Sequence, residues 1–439
     1  MWQLVAISLA SISTLFYILI QMLYRFSNFG LAWICPISAR VFQIRCHQIL
    51  YWPIFLQEHS PRLRSCVEYA EKAALHRHSI WSGLVVDLLL GHLIGLALLF
   101  NADSACLWVV TFANDITNEI LRSGCVWLMG VPAGFKLNTE LAGVLGMISL
   151  NIIQVWSTLW IFVGSLLIYF IKGLALLAII FGATVPTALI IDMVTLATLH
   201  VSALHWAISV LYSRQIQALA ALWRLFRGRK WNPLRQRLDS FDYTVKQHIV
   251  GSLLFTPLLL LLPTISAFYI FFTILNTAIT FLCKLIEVSI CMIHVTPYFE
   301  IFLSVVSRRR LPFGIWFEFI SCRSDYSESI SLDEVSSSNN LWPKKDGGKK
   351  ESSILVSVLH SNFLSIGQVV LPHYEKVYSG VASFITESAY RALTGQRTGA
   401  TRATCLRPRM PWMCIPSREY WRLCHKSILG CMVKRHICM

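Results

Sequence analysis

Long apolar runs broken by short polar stretches dominate this chain. A helix needs about 20 apolar residues to cross a hydrocarbon core of about 30 Å. Seven stretches of roughly that length carry few charges: 4–24, 80–100, 141–171, 174–194, 196–212, 249–273 and 278–305, the fifth and seventh being the weakest. They predict an all-α protein, a polytopic membrane helix bundle of about seven spans, with six and eight as the limits. The first run has no basic residues ahead of it and no small-x-small cleavage site behind it, so it reads as a retained signal anchor.

The polar stretches predict how the bundle is oriented, because loops rich in Lys and Arg stay in the cytosol. Residues 25–79 hold Arg25, Arg40, Arg45, Arg62, Arg64, Lys72 and Arg77 against Glu58, Glu68 and Glu71. Residues 101–140 hold Asp103, Asp115, Glu119 and Glu140 against Arg122 and Lys136. The first stretch is expected in the cytosol and the second in the lumen. Lys172 then reads as a tight cytosolic turn, and the basic stretch 213–247 and the Arg308, Arg309, Arg310 run fall on the same side. The membrane region is expected over 1–310, a polar linker over 311–353, and a mostly irregular cytosolic tail, lying along the membrane surface, over 354–439.

Composition narrows the choice of partner. There are 38 Lys and Arg against 23 Asp and Glu, a formal net charge of +15, yet 55% of residues are hydrophobic and only 14% charged. That background points to anionic lipid or an acidic partner surface and away from nucleic acid. Cys106, Cys283 and Cys291 sit within apolar runs and no paired CxxC units occur, so the cysteines read as mostly reduced thiols.

The densest charge block is Arg214, Arg224, Arg227, Arg229, Lys230, Arg235, Arg237 and Lys246 against Asp239 and Asp242. Beside it Ile216, Leu219, Ala220, Trp223 and Phe226 recur at three- and four-residue steps, the pattern of a helix lying in the membrane interface. Arg224, Arg227, Arg229, Lys230, Trp231, Arg235 and Arg237 are therefore candidate contacts for a lipid headgroup or a partner, a topology signal being the plainer reading. A second stretch, marked by Trp127, Gly130, Pro132, Gly134, Lys136 and Asn138, cannot continue as a regular helix and predicts a turn at the membrane surface or among helices.

Intramembrane polar residues form a third group: Asp192, His200 and His205, then Lys284, Glu287 and His294. Lys284 and Glu287 lie three apart and are expected to pair. The tail's Cys405, Cys414, Cys424, His425, Cys431 and Cys438 lack the close spacing of zinc modules. The chain has no Gly-rich phosphate loop, GxSxG or HExxH pattern. No catalytic residue, cofactor or metal ligand is assigned.

Two long strings carry a resemblance. Residues Trp127 to Asn138, and Leu222 through Trp231 to Ser240, closely resemble the PIG-Q family; Gly251 to Thr256 and Leu261 to Thr264 follow at similar separations, and the likeness covers about 80–305. Met410 to Met413 and Glu419 to Cys424 are similar to the C-termini of plant members. Family members carry a substantial region before the multi-span core, so this chain reads as a short form. The resemblance implies a multi-pass subunit of the endoplasmic-reticulum complex that transfers N-acetylglucosamine from UDP-N-acetylglucosamine to phosphatidylinositol, the first step of glycosylphosphatidylinositol (GPI) anchor synthesis. It implies that catalysis belongs to a separate glycosyltransferase subunit, with that subunit and phosphatidylinositol as partners. A transferase in its own right would need a base such as Asp115, Glu119 or Asp192, and a transporter would show paired halves with broken helices, which the sequence lacks.

Overall fold

The computed structural model describes residues 2–26, 35–50, 52–53, 67–130, 132–306, 312–323, 354–363, 366–394 and 415–437. In chain order the helices are α1 (Trp2–Phe26), α2 (Pro36–Leu50), α3 (Val67–Phe100), α4 (Ala102–Asn114), a wide π-helical stretch (Asp115–Arg122) and α5 (Ser123–Met129). After a 3-10 turn (Pro132–Gly134) come α6 (Thr139–Phe181), α7 (Thr184–Ala197) and α8 (Leu199–Phe226). The hairpin β1 (Arg229–Asn232) and β2 (Arg237–Ser240) leads into α9 (Val245–Val295) and α10 (Tyr298–Val306). A second antiparallel pair, β3 (Pro312–Arg323) and β4 (Ile354–Phe363), precedes α11 (Ile366–Thr394) and α12 (Ser417–Ile437).

Four helices are long and apolar enough to cross a membrane, Gln3–Met22, His78–Phe100, Thr139–Phe181 and Val245–Val295; α7 and α8, bent by 52°, make a fifth when taken together. The borders differ from those expected of seven spans. Lys172 does not turn the chain: it lies inside α6, which contains no proline and runs on to Phe181. The run 249–273 and residues 278–295 of the next, whose residues 298–305 fall in α10, share the single helix α9, because Ile274, Leu275, Asn276 and Thr277 between them include neither Gly nor Pro. That helix stops where Pro297 restricts Thr296 to extended backbone. Its 51 residues rise about 75 Å, more than twice the hydrocarbon core, so it crosses only when steeply inclined or with one end outside.

The all-α expectation needs two small sheets added, and the tail is not mostly irregular. β3 and β4 are rich in aromatic and β-branched residues, which favour a pleated surface, and α11 and α12 fill much of the remainder. Arg308, Arg309 and Arg310 and the polar linker from 324 to 353 lie outside the described residues.

One core joins α5, α6, α8 and α9 through Cys125, Leu128, Ile153, Val201, Leu204, Phe268 and Phe272. A second joins α2, α7, the end of α9 and α11 through Val41, Ala188, Ile191, Ile290 and Val377. Helices in lipid gain little from apolar burial against one another and depend on close packing and polar contacts. Accordingly α3 meets α6 at Gly91, where an added Cβ would sit 2.3 Å from the Ala178 carbonyl oxygen.

The polar contacts centre on a buried cluster. Arg45 of α2 forms an ion pair with Asp87 of α3, both side chains about 1% exposed. Asp87 also accepts from the backbone N–H of Thr184 at 3.1 Å and from its hydroxyl at 2.6 Å, supplying the cap that α7 lacks locally. Arg45 donates to Thr184 Oγ1 and to Gln48 Oε1, each at 2.9 Å. Burial lowers the Arg45 guanidinium to about 10, and Asp87 is the anion it faces.

Gly182 lets the chain enter this cluster. Its φ of 92° is open mainly to glycine, and a Cβ there would lie 2.9 Å from the Asp87 carboxyl. Gly182→Ala is expected to destabilise the fold by about 1–3 kcal/mol, read from thermal unfolding in detergent. Gly83→Ala, on the same bundle with nothing within 4 Å of its Cβ position, is expected to be neutral or slightly stabilising.

Candidate functional site

The glycine- and proline-bearing string forms a turn locked to α9. Helix α5 ends at Met129, Phe135 donates its N–H to the Pro132 carbonyl at 3.0 Å, and Gly134 takes φ 81°. Asn138 then caps α6, its Oδ1 accepting from the Leu141 N–H at 2.9 Å, while its own N–H donates to Thr264 Oγ1 at 3.0 Å. Thr264 is fully buried, one residue past Pro263, whose missing N–H opens the α9 ladder. Pro132 is buried, whereas Trp127, Phe135 and Lys136 are exposed.

The basic stretch is more ordered than a loop. The apolar stripe expected of an interfacial helix is instead the end of α8, which reaches Phe226 unbroken. Leu219 is buried toward α9, and Ile216, Ala220 and Trp223 are exposed on the other side. Gln215, buried beside Leu219, donates to the Leu258 carbonyl of α9 at 2.8 Å. Phe226 packs edge-on against Phe255 at 5.4 Å.

Beyond Gly228 the chain makes an antiparallel hairpin pairing Lys230 with Asp239 and Trp231 with Leu238. Asn232 holds its turn, accepting from the N–H groups of Leu234 and Arg235 and donating to Asp239 at 2.8 Å. Arg237 donates to the other Asp239 oxygen at 2.8 Å. Lys230 lies over the Phe241 ring, 4.8 Å from its centroid. Because side chains alternate, Arg229, Trp231 and Leu238 share one face of the hairpin, and Leu234 at its tip is 93% exposed. Arg224 is half-buried, and Arg227, Arg229, Lys230, Trp231, Arg235 and Arg237 are exposed at this end of the α8–α9 pair. The Asn232 and Arg237 hydrogen bonds hold Asp239 below the usual carboxylate range. Its contribution to the hairpin is therefore full above the unfolded carboxylate value and is lost as pH falls through the lowered one.

Asp192, Lys284, Glu287, His200 and His205 of the intramembrane polar group have local partners, whereas the Nε2 of His294 is buried without a hydrogen bond. Asp192 of α7 accepts from the Ser38 N–H at 2.7 Å, the Ser38 hydroxyl at 2.5 Å and the Ile37 N–H at 3.3 Å, so it caps α2 from a neighbouring helix. Lys284 and Glu287 pair at 3.1 Å, as their spacing predicts. His200 stacks on Trp156, whose indole N–H donates to the Ala197 carbonyl at 2.8 Å, and His205 stacks on Tyr269. Asp115 and Glu119 are exposed on the π-helical stretch. Among the described residues no three His, Cys, Asp or Glu side chains converge as a metal would require. The sequence reading passed over Asp87, although a lone carboxylate within the 80–100 run was its signal.

The four quoted strings thus meet in two pairs: Asn138 on Thr264, and Leu225 and Phe226 on Gly251 and Phe255. The turn is what the first pair exists to hold. Thr264→Val, which keeps the shape and removes the acceptor, is expected to cost about 1–3 kcal/mol in thermal unfolding by leaving the Asn138 N–H unsatisfied. Gly134→Val is expected to cost about 1–2 kcal/mol in the same assay through its left-handed backbone.

A family model described as N-acetylglucosaminyl transferase component (Gpi1) matches residues 39–313. The chain is 29% identical over 290 residues to the N-acetylglucosaminyl-phosphatidylinositol biosynthetic protein gpi1 of Schizosaccharomyces pombe, covering 65% of this chain and 44% of that protein. It is 39% identical over 203 residues to the Homo sapiens phosphatidylinositol N-acetylglucosaminyltransferase subunit Q, covering 46% of this chain and 26% of that one. With the Saccharomyces cerevisiae phosphatidylinositol N-acetylglucosaminyltransferase subunit GPI1 it shares 28% over 385 residues, 80% of this chain and 60% of that one. The chain therefore spans between 26% and 60% of the length of these relatives. No solved structure matches it. The matched residues 39–313 run from Ser38's neighbour on α2 through the clasped turn, the basic hairpin and α9, well over half of the chain, and the chain belongs to the Gpi1 family.

Proposed function

We propose that this chain is a non-catalytic membrane subunit that assembles or stabilises the complex transferring N-acetylglucosamine from UDP-N-acetylglucosamine to phosphatidylinositol, the opening step of GPI-anchor synthesis. The family match carries the reading, since the relatives are named as subunits of that transferase. The use of the buried carboxylates supports it: Asp87 is engaged in an ion pair and a helix cap, and Asp192 in a helix cap. Asp192, the buried one of the three residues that an independent transferase would draw on as a base, is occupied in this way.

In this reading the catalytic glycosyltransferase subunit is the principal protein partner. The chain is multi-pass in the endoplasmic reticulum membrane, with the basic hairpin and the C-terminal region on the cytosolic side. The turn and the hairpin are its contacts with partners or with phosphatidylinositol: Trp127, Lys136 and Phe135 at one, Arg227, Arg229, Lys230, Trp231 and Arg235 at the other. The membrane region over 1–310 carries these surfaces, and 311–353 connects it to the tail.

The test is to purify the tagged chain from detergent-solubilised endoplasmic reticulum and measure transfer of labelled N-acetylglucosamine onto phosphatidylinositol. Activity is expected only with co-purifying subunits; turnover by the chain alone would make it an enzyme. Reversing Arg227, Arg229 and Lys230 to Glu is expected to lower subunit recovery, complex activity or both at a small cost in thermal stability, because all three are exposed and Lys230 gives up its place over the Phe241 ring and opposite Asp239. Unchanged recovery and unchanged transfer would remove the hairpin from the contact surface.

A further inference from the structure

Helix α12 packs along α1, and the two make an unusual pair for a membrane. The ring of Tyr420 stacks on Tyr17 with centroids 4.4 Å apart. Tyr17 donates to the Ile415 carbonyl at 2.7 Å, and the Trp421 indole N–H donates to Ser11 Oγ at 3.3 Å. Ala6, Ala10, Tyr17 and Ile20 form the buried stripe of α1, and Tyr420, Cys424 and Ile428 that of α12. Tyr420 and Ser427 also donate to the Leu50 and Pro53 carbonyls, tying α12 to the end of α2.

The two outer surfaces are chemically opposed. Between Gln3 and Met22, α1 has no charged residue, and Leu4, Leu9, Ile12, Leu15, Leu19 and Met22 are exposed. Helix α12 is not apolar enough to cross a membrane, and it exposes Arg418, Arg422 and Lys426, one helical turn apart. Arg418 and Arg422 line a cleft with Thr14, close to the middle of the Gln3–Met22 apolar stretch. If α1 stood upright across the bilayer, these two guanidinium groups would lie near its midplane, the most costly depth for a charge.

We infer that α1 and α12 form one amphipathic unit that lies in the headgroup boundary of an anionic leaflet. The apolar arc of α1 faces the acyl chains, and Arg418, Arg422 and Lys426 face the lipid phosphates. The length of α1 suits a span, but what it carries on its back does not. The inference is independent of the transferase reading, since it rests on the packing of α12 and the cations it exposes.

Epitope tags ahead of Trp2, at residue 400 and after Met439 test it in sealed microsomes treated with protease. All three are expected to share one fate, because neither helix crosses. If the antiparallel pair crossed together, the tag at 400 would differ from the other two, and that result would overturn the inference. Hydrogen exchange of residues 417–429 in nanodiscs of the full chain gives the second reading. Exchange is expected to be slower with phosphatidylinositol present than with phosphatidylcholine alone, and Arg418→Glu, Arg422→Glu and Lys426→Glu together are expected to abolish the difference. Equal exchange in the two lipids, or protection that appears only with other subunits bound, would overturn the lipid assignment.

Discussion

The buried pair of Arg45 and Asp87 is the contact on which the arrangement of α2, α3 and α7 depends. Asp87 neutralises Arg45 and caps α7 through Thr184; Asp192, two turns along α7, caps α2 in return. Thus α3 caps α7, α7 caps α2, and α2 neutralises the carboxylate of α3, so the set closes on itself. Removing one member of such a pair leaves an uncompensated buried charge, at a cost of about 3–5 kcal/mol, whereas exchanging both for well-packed apolar residues is often neutral. Gly182 brings the end of α6 into the same cluster, and the second apolar core is built around it.

From this fixed end the bundle extends along α6, α8 and α9 to the clasped turn and the basic hairpin. Polar side chains along the way serve the backbone: Thr264 receives Asn138, Gln215 reaches Leu258, Trp156 reaches Ala197. A bundle that commits these side chains to its backbone, and presents cations and aromatics at the hairpin, fits the assembling role proposed above.

The apolar runs that make the membrane helices could be read directly, because their length and lack of charge are local properties. Where those helices end could not. Lys172 resembles a topology break, yet one Lys does not interrupt an α-helix, and the real break sits at Gly182, where a left-handed φ is needed. The string from Trp127 to Asn138 announced its turn through Gly and Pro, but its anchor at Thr264 is 126 residues away and is set by packing. Lys284 and Glu287 were legible as a pair because helical spacing brings them together; Arg45 and Asp87 were not, being on different helices. In the tail, Cys and His spacing drew the eye, while the residues that dock α12 are Tyr420 and Ser427.

The claim that the buried charges build the subunit and do not perform the transfer is tested most directly by the activity of complexes carrying Arg45→Met with Asp87→Asn, which removes both charges and leaves an amide oxygen to accept from Thr184. The paired substitution is expected to keep both assembly and N-acetylglucosamine transfer near wild type, while Asp87→Leu alone, which leaves Arg45 uncompensated and α7 uncapped, loses the folded chain. A doubly substituted chain that folds and assembles normally, yet leaves the complex without transfer, would contradict the account and place these residues in the chemistry.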